Sequence, residues 1–200
     1  MKLFPALSLL ALAAAPALSS AATSGFLVDF EKNWSYGETV DATYASQGVT
    51  FTNVLGVSND PDFGTAYSNA PSMLGVAMAQ LDGTVNTAAY MNVADGVANA
   101  LSFWYSSPTA ITGAITAYSG LNGTGSVLGT FNLSANDTGD YSSWSQVTFS
   151  FSGVALSFDF TPTAGIAGVD NISAVPEPSS YALAAVGLAA VGLLSRRRRA

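Results

Sequence analysis

Apolar and polar residues alternate with a period of two in short runs through the middle of the chain. Phe26, Val28 and Phe30 alternate in FLVDFE, and Val49 and Phe51 in GVTFTNV. Val147, Phe149 and Phe151 alternate in QVTFSF, and Leu156, Phe158 and Phe160 in LSFDFT. That period sends successive side chains to opposite faces, so each run reads as a strand with one buried face. Further strands are expected at Met73 to Leu81, Ala100 to Tyr105, Gly113 to Tyr118, Val127 to Leu133 and Ile166 to Ile172. Ser152-Gly153 and the stretch from Pro162 to Gly165 read as turns between the last strands. No central stretch sustains a 3.6-residue apolar period. The pattern predicts an all-β fold, an antiparallel β-sandwich of many short strands.

Two segments break the alternation. The chain opens with one cation, Lys2, then an apolar stretch from Leu3 to Leu18, then small residues with Ser20 and Ala22 placed for a secretory cut after Ala22. Residues 1–22 are therefore expected to be a helical signal peptide removed by signal peptidase. Near the other end, Pro176 and Pro178 remove ladder donors and forbid a regular strand. The uncharged run from Tyr181 to Leu194 then leads to four arginines, Arg196, Arg197, Arg198 and Arg199. Fourteen residues make a helix of roughly 21 Å against roughly 30 Å of hydrocarbon. Such a helix is a marginal anchor in the inner membrane, with its basic cluster held on the cytoplasmic side. The expected organisation is residues 1–22, a β domain at 23–174, and a tail at 175–200.

Charge sharpens the picture once those ends are set aside. The chain of 200 residues has a formal charge of −7. All four arginines lie in the tail, so the domain sets twelve carboxylates against the single cation Lys32. A surface this acidic repels phosphate backbones and makes nucleic acid an unsuitable partner. The chain has no Cys and no His. Thiol and imidazole nucleophiles, the Ser-His-Asp triad and nitrogen- or sulfur-ligated zinc are thereby closed to it.

The ordered combination of Pro176-Glu177-Pro178, an apolar helix containing Gly187 and Gly192, and a terminal arginine cluster resembles the PEP-CTERM sorting domains of Gram-negative bacteria that make extracellular polysaccharide. The resemblance implies recognition of Pro176, Glu177 and Pro178 by an exosortase. It also implies release into, or transfer to, the cell envelope, cell surface or matrix. The closing strands WSQVTFSF, FDF and AGIAGVDNI, with Asp170-Asn171-Ile172, resemble those of jelly-roll domains related to carbohydrate-binding modules.

Three chemistries are left open. Hard oxygen ligands for calcium stand at Asp60 and Asp62 in SNDPD. A second set comprises Asp29, Glu31, Asp170 and Asn171, which meet only if the first and last strands are neighbours. Aromatic rings that stack on sugar faces are available at Trp34, Tyr36, Tyr44, Tyr67, Trp104, Tyr105, Tyr118, Tyr141 and Trp144. Of these, Trp34 and Tyr36 in the loop NWSYG are expected to be exposed and to contact extracellular polysaccharide. Paired-carboxylate glycoside hydrolysis is the remaining catalytic option, but Glu31 and Glu38 are the domain's only Glu residues and no spacing selects a pair. The expectation is a non-catalytic exported protein of the surface or matrix, with a lectin-like module carrying structural calcium as the alternative.

Overall fold

A computed structural model describes residues 25–58, 67–81, 83, 87–174 and 187. The expected signal helix, the apolar tail helix apart from Gly187, the sorting motif, the arginine cluster, Asp60 and Asp62 lie outside the described residues. Among the described residues no helix is long and apolar enough to cross a membrane. Nine strands carry the fold: β1 (Leu27–Val28), β2 (Val49–Thr52), β3 (Val54–Ser58), β4 (Gly75–Ala79), β5 (Tyr90–Ser106), β6 (Ile111–Tyr118), β7 (Val127–Leu133), β8 (Ser145–Asp159) and β9 (Gly168–Ala174). Short 3-10 turns at Ala45–Gln47 and Thr161–Thr163 complete it.

All pairings are antiparallel, in the order β3-β4-β9-β5-β8-β6-β7, with β1 on β9 and β2 on β5. The long strands β5 and β8 serve both layers. The first half of β5 lies between β2 and the end of β8, and its second half between β9 and the start of β8. Sharp bending makes this sharing possible. Phe149 and Phe158 sit nine positions apart in β8, about 30 Å in a straight strand, yet their ring centroids are 6.4 Å apart. The expected turn at Ser152-Gly153 is instead this bend within one continuous strand: Gly153 adopts φ 93°, and the register slips opposite it between Ala98 and Ala100 of β5.

The two layers close over an aromatic core. Phe131 of β7 meets Phe103 of β5 at 6.1 Å and Phe149 at 5.5 Å. Each such pair contributes about 1 kcal/mol beyond the area its rings bury. Among the described residues the buried apolar side chains run from Phe26 to Ile172 and form one core. Phe103 and Tyr105 face that core while Trp104 between them points to the opposite, outer face of the sheet, as alternation requires.

Candidate functional site

The outer face of the β9–β5–β8 sheet carries two loops, and each is fixed by a carboxylate. After β7, Asn136 ties the chain to the end of β5: its Oδ1 accepts from the Ser107 N–H (2.8 Å) and its amide donates to the Tyr105 carbonyl (3.0 Å). Asp137 then accepts four backbone N–H groups, from Gly139 (2.6 Å), Tyr141 (2.8 Å), Ser142 (2.9 Å) and Ser143 (2.9 Å). Burial pushes the Asp137 carboxyl up, but these four donors outweigh it and leave the group below its ordinary range. The second loop, residues 67–74, is pinned by Asp170 of β9. That fully buried carboxylate accepts from the Ser72 N–H (2.7 Å), the Ser72 hydroxyl (2.9 Å) and the Asn171 N–H (2.7 Å).

The two loops are also joined to each other. Tyr67 donates its N–H to the Asp140 carbonyl at 3.2 Å, and the Asn69 amide donates to the Ser142 carbonyl at 3.1 Å. The rings of Tyr67 and Tyr141 stack with centroids 5.3 Å apart and planes 28° apart. Trp144 donates its indole N–H to the Tyr141 carbonyl (2.9 Å), and the Tyr141 hydroxyl donates to the Ile166 carbonyl (2.9 Å). Gly168 is the floor of this group: a Cβ there would meet Trp144 Cη2 at 3.1 Å and Tyr67 Cε1 at 3.8 Å. Tyr67 and Tyr141 both hold positive φ, 63° and 55°. Bulky residues adopt that conformation only when the surroundings impose it, and the cost is of order 1–3 kcal/mol each. Burial raises both phenol pKa values, so the hydroxyls stay neutral.

The result is a patch of three partly buried rings, Tyr67, Tyr141 and Trp144. Trp104 lies on the same sheet face, two positions along β5 from Ser106, which pairs with Gly168. Ser106 shares the face with the Gly168 Cβ direction and so lies under the rings. Its hydroxyl is the one buried side-chain oxygen or nitrogen among the described residues that lacks a partner.

Trp34 and Tyr36 part company, and the exposure expected for Trp34 is not found. Trp34 is 6 % exposed and donates its indole N–H to the Phe30 carbonyl at 3.0 Å. Its ring fills a slot left by two glycines; a Cβ on Gly56 would land 1.9 Å from it. Lys32 lies over the ring at 4.4 Å and pairs with Glu38. Tyr36 is 100 % exposed, but among the described residues no other ring partners it. Lys32 and the Ser35 N–H hold the Glu38 carboxyl below its ordinary range, the reverse of what a general acid needs.

Of the two oxygen clusters, the second does assemble. Antiparallel pairing of β1 with β9 (Leu27 opposite Ser173, Val28 opposite Ile172) brings Asp29 and Glu31 beside Asp170 and Asn171. The Ser72 hydroxyl stands at their centre, with the Asp29 carbonyl, Asp170 Oδ1 (2.9 Å) and Asn171 Oδ1 (3.4 Å) around one proton. Glu31 accepts from the Leu74 N–H at 3.2 Å, and Asp29 Oδ1 from the Tyr44 hydroxyl at 3.2 Å. Burial first, then the Glu31 charge, raises the Asp170 pKa to about 6 against the donors from Ser72 and Asn171. Among the described residues no three carboxylates converge closely enough to cage a metal by themselves. A cation here would draw on carbonyl and amide oxygens as well.

The solved structures this chain resembles are similar in fold alone. A CBM35 from Paenibacillus barcinonensis shares 18 % identity over 76 % of this chain and 99 % of that one, with a TM-score of 0.41. A family 6 carbohydrate-binding module shares 14 % over 74 % and 90 %, at 0.42. The K1 cleaved adhesin domain of Lys-gingipain from Porphyromonas gingivalis shares 16 % over 77 % and 99 %, at 0.43. Residues 174–199 match the PEP-CTERM protein-sorting motif. The chain thus carries the signal of an exported bacterial protein sorted by an exosortase to the cell envelope or surface. No curated protein matches its sequence.

Proposed function

We propose that the domain is a non-catalytic glycan-binding module, delivered to the surface or matrix by its tail and engaging extracellular polysaccharide through Tyr67, Tyr141 and Trp144. The observation that carries this reading is the expenditure on the patch. Two loops commit the whole of Asp137 and Asp170, and accept left-handed backbone at two tyrosines, to hold three rings half-open on one face. Rings packed for stability alone sit in the core, where Phe30, Phe103, Phe149 and Phe158 are fully buried. Flat rings stack on the C–H faces of pyranoses, and the neighbouring Asn69 and Ser142 supply hydrogen-bonding groups. Asp137, Asp140 and Asp170 flank the patch, and the one described cation, Lys32, is engaged by Glu38. The preferred ligand is therefore a neutral polysaccharide rather than a uronate-rich one.

Titrating the exported segment, residues 23–174, with neutral and acidic polysaccharides tests this. Saturable binding to a neutral polymer is expected, with loss of affinity in Tyr67→Ala and Trp144→Ala and none in Tyr36→Ala. No binding, or binding indifferent to both patch variants, would favour a purely structural matrix role. Sorting has its own test: replacing Pro176, Glu177 and Pro178 by alanine should abolish processing in an exosortase-bearing host. Calcium at the Asp29–Asp170–Asn171 cluster belongs to the same proposal as a structural ion. The surplus of acceptors around the Ser72 hydroxyl supports it.

A further inference from the structure

The open edges of the sandwich are not treated alike. Along β3, residues 38–40 act as a strap: the Val40 N–H donates to the Val54 carbonyl (2.9 Å) and the Gly56 N–H to the Glu38 carbonyl (3.0 Å). Residues 41–44 do the same for β2, where the Phe51 N–H donates to the Asp41 carbonyl (2.8 Å) and the Val49 N–H to the Tyr44 carbonyl (3.2 Å). Both straps carry carboxylates, Glu38 and Asp41. Covering and charging an edge is how sheets avoid pairing with other chains.

At the far end of the sheet, β7 has neither device among the described residues. Among these it pairs with β6 alone, and the one further bond to its backbone is from the Ser152 hydroxyl to the Leu128 carbonyl at 3.4 Å. Its sequence, VLGTFNL, holds no Pro and no charge. No Asp, Glu, Lys or Arg occurs anywhere from residue 96 to residue 136, in a domain with twelve carboxylates. Val127 on β7 is 58 % exposed and Leu121 in the adjoining turn 47 %.

We propose that β7 is a self-association edge, through which two copies of this chain pair antiparallel about a two-fold axis and continue the sheet. An unsatisfied row of backbone donors and acceptors calls for another strand, and a second copy brings an identical open row. Charge placement selects this approach over others. Among the described residues β6 and β7 carry no carboxylate, and Asp159 of β8, opposite Thr116, is separated from β7 by β6, so a β7–β7 contact adds little like-charge repulsion. The interface is isologous and closes as a dimer.

Sedimentation equilibrium of residues 23–174 over a broad concentration range tests it. A monomer–dimer equilibrium is expected that tightens with added salt, because screening relieves repulsion between two acidic domains. An ion-paired interface would weaken instead. The double variant Val127→Lys, Thr130→Lys places charge on the edge at exposed positions and should weaken the dimer roughly tenfold or more. Tyr36→Lys, at a fully exposed position beside the β3 strap at the other end of the sheet, should leave it intact. Unchanged melting temperatures would show that each variant folds. A wild type that stays monomeric throughout, or a β7 variant that dimerises as well as the wild type, overturns the proposal.

Discussion

Asp170 makes the stability of this domain depend on pH in an unusual direction. Its carboxyl is fully buried and its pKa is raised from 3.8 to about 6, chiefly by burial. The folded state therefore keeps a proton that the unfolded chain has lost over that interval. Stability from this group is fully present below the unfolded pKa and is lost as pH rises through the folded one. A displacement of about two units corresponds to about 3 kcal/mol, or roughly 6–12 °C in melting temperature for a domain of this size. Asp170→Asn removes the titration. It also leaves an amide facing either the Ser72 or the Asn171 N–H, at a cost of about 1–3 kcal/mol that does not vary with pH. Urea unfolding of both proteins from pH 4 to pH 8, followed by circular dichroism, isolates the difference, since other carboxylates cancel. The wild type should lose about 3 kcal/mol relative to the variant as pH rises. Calcium should restore part of that at pH 8 in the wild type only. Parallel profiles for the two proteins would refute the argument, and a calcium effect equal in both would place the ion elsewhere.

Other expectations follow from single side chains. Ser106→Ala removes a buried hydroxyl without a partner and should stabilise the domain by about 1 kcal/mol in the same unfolding assay. Trp34→Ala should cost about 3–5 kcal/mol by emptying the slot over Gly56, yet leave glycan affinity unchanged once folding is verified. Asp137→Ala should cost about 1–2 kcal/mol, less than four buried bonds would imply because water reaches the loop. It should weaken glycan binding more than stability, because Tyr141 and Trp144 lose their support. The Asp137 contribution is present above the unfolded carboxylate pKa and lost as pH falls through the depressed folded one, opposite in sign to Asp170.

The strands were legible where alternation is strong, as in QVTFSF and LSFDFT, because burial on one face enforces period two. The first half of β5 was not. The alternation places that strand only from Ala100, and pairing of Tyr90, Met91 and Asn92 on both sides, to β2 and β8, extends it back across the irregular stretch before Val97. The same blindness hid the bend at Gly153, since a glycine that kinks a shared strand and one that ends a strand are spelled alike. Trp34 was misplaced for a related reason. NWSYG has the composition of an exposed loop, while the slot that buries the indole is made by Gly56 and Gly75, which local sequence does not connect to it. Tyr67, Tyr141 and Trp144 stood among the candidate aromatics, but their stacking joins residues 67 and 141, and nothing short of the fold pairs them. The Asp29, Glu31, Asp170 and Asn171 cluster was legible conditionally, and the pairing of β1 with β9 supplies the condition.

That same pairing orders the molecule from end to end. Because Leu27 lies opposite Ser173, the chain enters the domain beside the point where it leaves toward the tail at Ala174. The aromatic patch rests on Gly168, at the other end of β9, about 20 Å away along the strand. The end of β9 that leads toward the tail is therefore the end remote from the rings. On the proposed glycan-binding function, cleavage near the tail changes how the domain is held and leaves the ring-bearing face untouched. The two roles are separable for that reason. On the same proposal the tail determines where the domain is delivered, and the loops fixed by Asp137 and Asp170 determine what it meets there.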